Sequence, residues 1–328
     1  MPIHSKITLW LESIQNGFIL ILPIIIIGSL ALTALQIPIL FSGYLSDSFI
    51  LDLAKGMLAA TLNIMALTLT ISISYYLSKA YNKIHNLPFY PITIASISTV
   101  CLFGILRIDH GDQLIHNLGI TSAAKAIICA IITTEICVFF FENKFIKFGY
   151  LQHEINEDVY FALRAIIPAI IVTLIVVGLY SLLFTDINII SQLIPFVIGP
   201  VNPDIGLSYL QSNVLIIINQ LVWFVGIHPS SLIEVSKDAI FTANAAAKYS
   251  KHFLDTYAHI GGAGSTFGLI IALLFSQRNQ HKQIAKYATL PAIFNINELL
   301  IFGIPIVFNR YLLVPFVIAP IATTSLAR

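Results

Sequence analysis

A cluster of hydrogen-bonding side chains opens an apolar stretch near the end of the chain, in the segment FNINELLIFGIP at 294–305. Asn295 and Asn297 can each donate and accept hydrogen bonds, and the carboxylate of Glu298 can accept several bonds from hydroxyl groups. A glycine and a proline follow in the same segment, and apolar runs broken in this way are typical of binding sites between half-helices. The cluster favours an uncharged, hydroxyl-rich ligand such as a sugar. The alternative is a glutamate that water solvates at a membrane surface.

Two further segments suit the same kind of ligand. In WFVGIHPSS, at 223–231, Trp223 offers an aromatic face on which a pyranose ring can stack, and His228 offers an imidazole that can bond a hydroxyl. In YAHIGGAGSTFG, at 257–268, Gly262 and its small neighbours let the backbone approach a ligand closely. The alternatives are an interface histidine in the first segment and plain helix packing in the second.

The elements that must position these residues are membrane-spanning helices. Of the 328 residues 57% are hydrophobic and only 10% are charged, and the mean hydropathy is +0.89, whereas soluble domains carry charge on about a quarter of their residues. We therefore predict an all-α polytopic membrane protein. The net charge of +1 gives no field that would attract nucleic acid. The sequence offers no cluster with metal-ligand spacing, so we expect neither a metal nor a cofactor.

Apolar runs of about 20 residues predict the transmembrane helices. We place about eight of them, separated by polar connectors. Their approximate ranges are 17–40, 57–78, 88–106, 121–142, 161–184, 207–228, 257–276 and 310–325. Glu135 and Arg164 lie towards the ends of such runs, where we expect their side chains to reach water as anchors.

The lysines and arginines beside these runs predict the orientation. Lys6 and the lysines after the second and fourth runs all lie on the cytoplasmic side if the N-terminus is cytoplasmic. The run at 257–276 conflicts with this rule because basic residues flank it on both sides. One simple crossing cannot place both groups inside, so we predict re-entrant hairpins in the C-terminal half.

Several segments resemble one known family of transporters. These segments are GFILILPIIIIGSL at 17–30, WFVGIHPS, YAHIGGAGSTFGLIIALLF, LPAIFNINELLIFGIPIVFN and LLVPFVIAP. They resemble the membrane permease, enzyme IIC, of the bacterial phosphotransferase system, in its lactose/cellobiose/chitobiose branch. The NINE segment with its flanks is the most specific part of this resemblance.

The resemblance implies a fold, a substrate and partners. It implies a homodimer of about ten helices and two re-entrant hairpins per subunit in the cytoplasmic membrane of a bacterium. Residues 1–185 would form the dimerisation scaffold and 186–328 the sugar-binding transport domain. His228 and Glu298 would contact a disaccharide. A IIB partner would phosphorylate its 6-hydroxyl, so we expect no intrinsic catalysis in this chain.

This sequence also departs from the family pattern. Leu299 replaces the proline after the glutamate, Pro229 replaces the glycine after the histidine, and Asn309–Arg310 replaces an Asn-Pro pair. The sequence ends at Arg328, where the family continues, so we expect a chain that is short at its C-terminal end. Two other functions stay open: a sugar-sensing input domain, and an ion-coupled transporter that uses Glu298 as a proton carrier.

Overall fold

The computed structural model describes residues 3–40, 49–87, 89–111, 117–143, 156–184, 197, 207–226, 229, 249–304 and 306–328. Every regular element in these ranges is helical, which confirms the predicted all-α class. The α-helices in chain order are α1 (Ile3–Leu20), α2 (Leu22–Leu40), α3 (Phe49–Ala59), α4 (Met65–His85), α5 (Pro91–His110), α6 (Ala123–Glu142), α7 (Glu157–Phe184), α8 (Tyr209–Phe224), α9 (Lys251–Phe253), α10 (Phe267–Leu274), α11 (Asn279–Ile293), α12 (Glu298–Gly303) and α13 (Arg310–Leu326). A π-helix, Leu254–Ala258, continues α9.

Four helical runs are long and apolar enough to cross a membrane. They are Phe49–His85, Pro91–Asp109, Ile120–Glu142 and Val159–Leu183. A fifth arises if α1 and α2 form one span. On α7, the side chains of Leu174 and Leu182 are 69% and 81% exposed, and such apolar surface suits lipid better than water. The prediction of several spans is confirmed, whereas a count of eight is not reached within the described ranges.

Hydropathy located most of the long helices but missed a break in the first of them. The predicted ranges 88–106, 121–142 and 161–184 correspond to α5, α6 and α7, with ends that differ by a few residues. The prediction of one helix over 17–40 is wrong, because the helical run is interrupted at Ile21. Pro23 follows two residues later, and its ring has no N–H with which to continue the ladder of the preceding helix.

By its packing the chain divides into two compact units. Unit 1 comprises Met1–Ile21 and Asn63–Ile187, and unit 2 comprises Leu22–Leu62 and Asn188–Arg328. The early segment joins unit 2 because α2 packs against α3, α11 and α12. Scaffold and transport roles for 1–185 and 186–328 stay predictions.

In unit 1, α4 packs against α1, α5 and α6, and a carboxylate on α6 binds side chains from two of its neighbours. Lys6 of α1 approaches Oε2 of Glu135 at 3.0 Å, and the indole N–H of Trp10 donates to Oε1 at 2.7 Å. The hydroxyl of Tyr81 on α4 also donates to Oε1. The interpretation of Glu135 as a water-facing anchor is therefore wrong: its carboxylate joins three helices.

A second carboxylate in unit 1 is satisfied in the same way. Asp109, near the end of α5, forms an ion pair with Lys125 of α6. The hydroxyl of Tyr180 on α7 lies 2.8 and 2.7 Å from the two carboxylate oxygens of Asp109. The side chain of Asp109 is 15% exposed, so these partners replace most of the water that an isolated carboxylate would need.

Unit 2 contains several short helices and a tight, glycine-rich turn. The prediction of one span over 257–276 is wrong, because the chain leaves the π-helix at His259 and begins α10 only at Phe267. Four residues between them have positive φ angles: Gly261, Gly262, Gly264 and Ser265. An α-helix cannot accommodate such residues. The eight residues of α10 extend about 12 Å, well short of a bilayer core of about 30 Å.

Candidate functional site

Asn295 holds two segments of unit 2 together. Its backbone adopts a left-handed conformation with φ of 59°, which asparagine tolerates better than most residues. The side-chain carbonyl accepts a hydrogen bond from the backbone N–H of Gly261 at 2.9 Å. The side-chain NH2 donates to the backbone carbonyl of Asp255, also at 2.9 Å. Asn295 thus fixes the end of α11 to the π-helix and to the glycine-rich turn.

Asn297 fixes the same turn from inside. Its side chain is buried, and its NH2 group donates to the carbonyl of Ala263 and to the hydroxyl of Thr266, both at 2.7 Å. Gly262 lies directly against this amide: a Cβ atom at Gly262 would be 2.2 Å from Cγ of Asn297. The φ angle of Gly262 is 98°, so glycine is required here on both counts.

Glu298 follows at the first position of α12, and its carboxylate is incompletely satisfied. The oxygen Oε2 has no exposed surface and no hydrogen-bond partner within the described residues. The next residues, Leu299 to Phe302, are all buried. A carboxylate oxygen without water or a donor is costly in such surroundings. Glu298 is therefore prepared to accept a hydrogen bond from something outside the described chain.

The other predicted residues are placed only in part. Trp223 lies near the end of α8 and is 7% exposed. His228 lies outside the described residues, and so does Pro305. The end of α8 is fixed by a backbone hydrogen bond from Phe308 N–H to the carbonyl of Phe224 at 3.0 Å. This bond ties α8 to the segment between α12 and α13.

Two departures from the family pattern have local explanations. Leu299 is 1% exposed in the core of unit 2, so burial of an apolar side chain stabilises the start of α12 where the family has a proline. Asn309 is the N-cap of α13, and its side-chain oxygen accepts a hydrogen bond from Tyr311 N–H at 3.1 Å. Arg310 then begins the helix, and α13 occupies the range predicted at 310–325, but with 17 residues it is shorter than the helices that are long enough to cross a membrane.

The sequence interpretation missed a row of polar residues that ends at the glycine-rich turn. Asp255 forms an ion pair with Lys251, and its Oδ1 lies 3.7 Å from Nδ1 of His259. On the other side of the imidazole, Nε2 of His259 lies 3.3 Å from the side-chain nitrogen of Asn219 on α8. The spacing of Lys251, Asp255 and His259, four residues each, is the signal that could have identified the row.

A second incompletely paired side chain of unit 2 is a buried amide on α8. Gln220 is 0% exposed, and neither its side-chain oxygen nor its nitrogen has a partner within the part of the chain that the structure describes. Gln211, on the same helix, is satisfied through a capping box with Ser208. Gln220 and Glu298 therefore both leave polar atoms of unit 2 buried and unpaired.

Known proteins resemble this chain over most of its length. The family described as "Phosphotransferase system, EIIC" matches residues 15–320. A permease IIC component of Bacillus subtilis (strain 168), YwbA, is 29% identical over 357 residues, covering 99% of this chain and 79% of that protein.

Two other relatives are named for their sugars. The cellobiose-specific EIIC component of Geobacillus stearothermophilus is 28% identical over 346 residues, covering 95% of this chain and 76% of that protein. The lactose-specific EIICB component of Staphylococcus haemolyticus (strain JCSC1435) is 25% identical over 348 residues, covering 98% of this chain and 58% of that protein.

Proposed function

This chain belongs to the phosphotransferase system EIIC family, and from that premise we propose that it binds a disaccharide through a site built around Glu298 and presents it to a IIB partner for phosphorylation. The chain is a multi-pass sugar permease subunit of the cellobiose/chitobiose/lactose type. The disaccharide class is supported by relatives named for cellobiose and lactose. The IIB partner is supported by relatives whose name, EIICB, joins the two components in one chain.

The observation that carries the proposal is the unpaired Oε2 of Glu298. The amides of Asn295 and Asn297 are engaged in holding the turn, whereas Oε2 of Glu298 still lacks a donor among the described residues. A sugar hydroxyl supplies such a donor without adding charge. The shape of the turn, which depends on Asn295, Asn297 and Gly262, then positions the carboxylate for the sugar. The sugar ring is also contacted by Trp223 and His228.

The remaining parts of the proposal concern assembly and location. The permease forms a homodimer in the cytoplasmic membrane of a bacterium, with its N-terminus in the cytoplasm, as the lysine distribution favours. Residues 1–185 form the scaffold, and 186–328 carry the sugar. The phosphoryl group comes from IIB, so the chain itself contributes binding and translocation rather than catalysis.

Substitution of the carboxylate tests the binding site. Glu298→Gln keeps the size of the side chain and replaces one acceptor oxygen with an NH2 group that cannot accept, so cellobiose affinity should fall roughly tenfold to a hundredfold. Glu12→Gln, the same change at an exposed position of α1, should leave affinity unchanged. Titration calorimetry on the purified protein in detergent measures both. Equal cellobiose affinities in wild type and Glu298→Gln would contradict the proposal that Glu298 binds the sugar.

Uptake into membrane vesicles tests the coupling. Phosphorylated sugar should accumulate only when IIB and its phosphoryl donor are supplied. Uptake of unmodified sugar that needs a proton gradient and no IIB would contradict the proposal and favour an ion-coupled transporter.

A further inference from the structure

His259 lies between two polar partners at the edge of the glycine-rich turn. Its Nδ1 faces Oδ1 of Asp255 at 3.7 Å, and its Nε2 faces the side-chain nitrogen of Asn219 at 3.3 Å. Both distances exceed the usual hydrogen-bond length of about 2.9 Å. The imidazole is thus oriented by its neighbours but weakly bound to them, and 23% of its side chain is exposed.

These partners define which ring nitrogen carries the proton. Asp255 attracts an N–H to Nδ1, because a carboxylate only accepts. The NH2 group of Asn219 faces Nε2, which therefore presents its lone pair. Burial raises the pKa of Asp255, but the contacts with His259 and Lys251 outweigh it and lower the pKa below its usual value. The carboxylate favours the tautomer that carries its N–H on Nδ1.

The polar row is part of the turn that the NINE segment fixes. The backbone N–H of Gly262 donates to the carbonyl of His259 at 2.8 Å, so the two residues close a single tight turn. Asn295 binds the carbonyl of Asp255 on one side and the N–H of Gly261 on the other. His259 is therefore held by the same contacts that hold the glycines beside Asn297.

We propose that His259 and Asn219 form a second hydroxyl-binding pair of the sugar site, in which one sugar hydroxyl replaces the NH2 group of Asn219 as the donor to Nε2 of His259, and the released NH2 group of Asn219 donates to a neighbouring sugar hydroxyl. Asp255 is a positioning residue that fixes the tautomer. The proposal rests on the sugar permease function given above and assigns a further part of its substrate site.

The charges of the row favour an uncharged sugar. Lys251 and Asp255 form an ion pair, so their charges cancel. A phosphorylated sugar would find no unpaired cation in the row and would meet the carboxylate of Asp255. The pair therefore selects the substrate before phosphoryl transfer and helps the charged product to leave.

A cycle of protein variants and sugar analogues tests the contact. The probes are cellobiose and its monodeoxy analogues, titrated against the full chain. Wild type should lose about tenfold in affinity for the analogue that lacks the hydroxyl facing Nε2. His259→Phe should bind cellobiose about tenfold more weakly and should no longer distinguish that analogue. His252→Phe, a nearby exposed histidine, should behave as wild type.

Asp255→Asn should weaken the discrimination of the same analogue by a smaller factor, since the ring can then adopt either tautomer. If His259→Phe does not fold, His259→Gln replaces it, and its amide should restore part of the discrimination. An equal loss for every analogue in the His259 variant would mean a purely structural role and would overturn the second pair while leaving Glu298 intact. Absence of cellobiose, lactose and chitobiose binding in wild type would overturn the sugar site itself.

Discussion

The two units treat carboxylates on their helices in opposite ways. In unit 1, Glu135 receives three donors and Asp109 receives two, from side chains on neighbouring helices. In unit 2, one oxygen of Glu298 and both polar atoms of Gln220 are buried without a partner in the described residues. The paired carboxylates of unit 1 stabilise the fold as it stands. The unpaired groups of unit 2 are available to bind another molecule or to find partners in another conformation.

The physical basis of this contrast is the cost of burying an unpaired polar group. Each such group costs about 1 to 3 kcal/mol, and a charged one more. A chain that pairs its acids in one unit has the means to pair them in the other. Unpaired atoms at Glu298 therefore mark a place where stability is given up for binding.

Removal of the Glu135 carboxylate should have the largest effect on stability. Glu135→Ala leaves Lys6, Trp10 and Tyr81 without their common acceptor, so we expect the free energy of unfolding to fall by about 3 kcal/mol. Thermal unfolding followed by tryptophan fluorescence measures the loss. Glu12→Ala, exposed on α1, is the matched control. An unchanged melting temperature in Glu135→Ala would contradict the inference that the paired carboxylates of unit 1 stabilise the fold.

Replacement of the unpaired amide in unit 2 should change stability in the opposite direction. Gln220→Met keeps the approximate size and removes two unsatisfied atoms, so we expect a gain of about 1 to 3 kcal/mol in the free energy of unfolding. Gln211→Met on the same helix removes a satisfied capping partner and should destabilise. Both melting temperatures come from the same scan. A lower melting temperature in Gln220→Met would show that this amide has partners. It would contradict the inferred difference between paired polar groups in unit 1 and unpaired ones in unit 2.

The smallest effect is expected for a single donor of a redundant pair. Tyr180→Phe removes the hydroxyl that binds Asp109, but Lys125 stays as its partner, so we expect a loss of about 1 kcal/mol. Tyr311→Phe, at a position that is 75% exposed, should be neutral. Urea titration of the two variants compares them, and a loss in Tyr180→Phe as large as that in Glu135→Ala would mean that Lys125 does not hold the carboxylate.

The sequence was sufficient for the fold class and for the long helices, because hydropathy over about 20 residues is set by the bilayer itself. It was insufficient where single residues decide. Pro23 broke the first predicted span at Ile21, and the glycines at 261, 262 and 264 turned the predicted span at 257–276 into a turn and a short helix. Mean hydropathy depends only on residue types, so it does not show where a positive φ angle interrupts a helix.

The candidate site was predictable in its residue types rather than in its contacts. The NINE segment was recognisable as a candidate site because polar groups are rare in apolar runs. That the two asparagines bind backbone while Glu298 keeps a free oxygen depends on which segments meet in space, and spacing along the chain does not show this. Glu135 was misplaced for the same reason, since its three donors come from positions 6, 10 and 81.

The close approach of Gly262 to Asn297 also constrains how this protein can evolve. A side chain at position 262 would occupy the volume of the Asn297 amide, whose Cγ would lie 2.2 Å from the new Cβ. A smaller residue at position 297 would leave the carbonyl of Ala263 and the hydroxyl of Thr266 without their donor. Neither position can change first without loss, so we expect the two to be retained together, and a change of sugar to come through the residues around them.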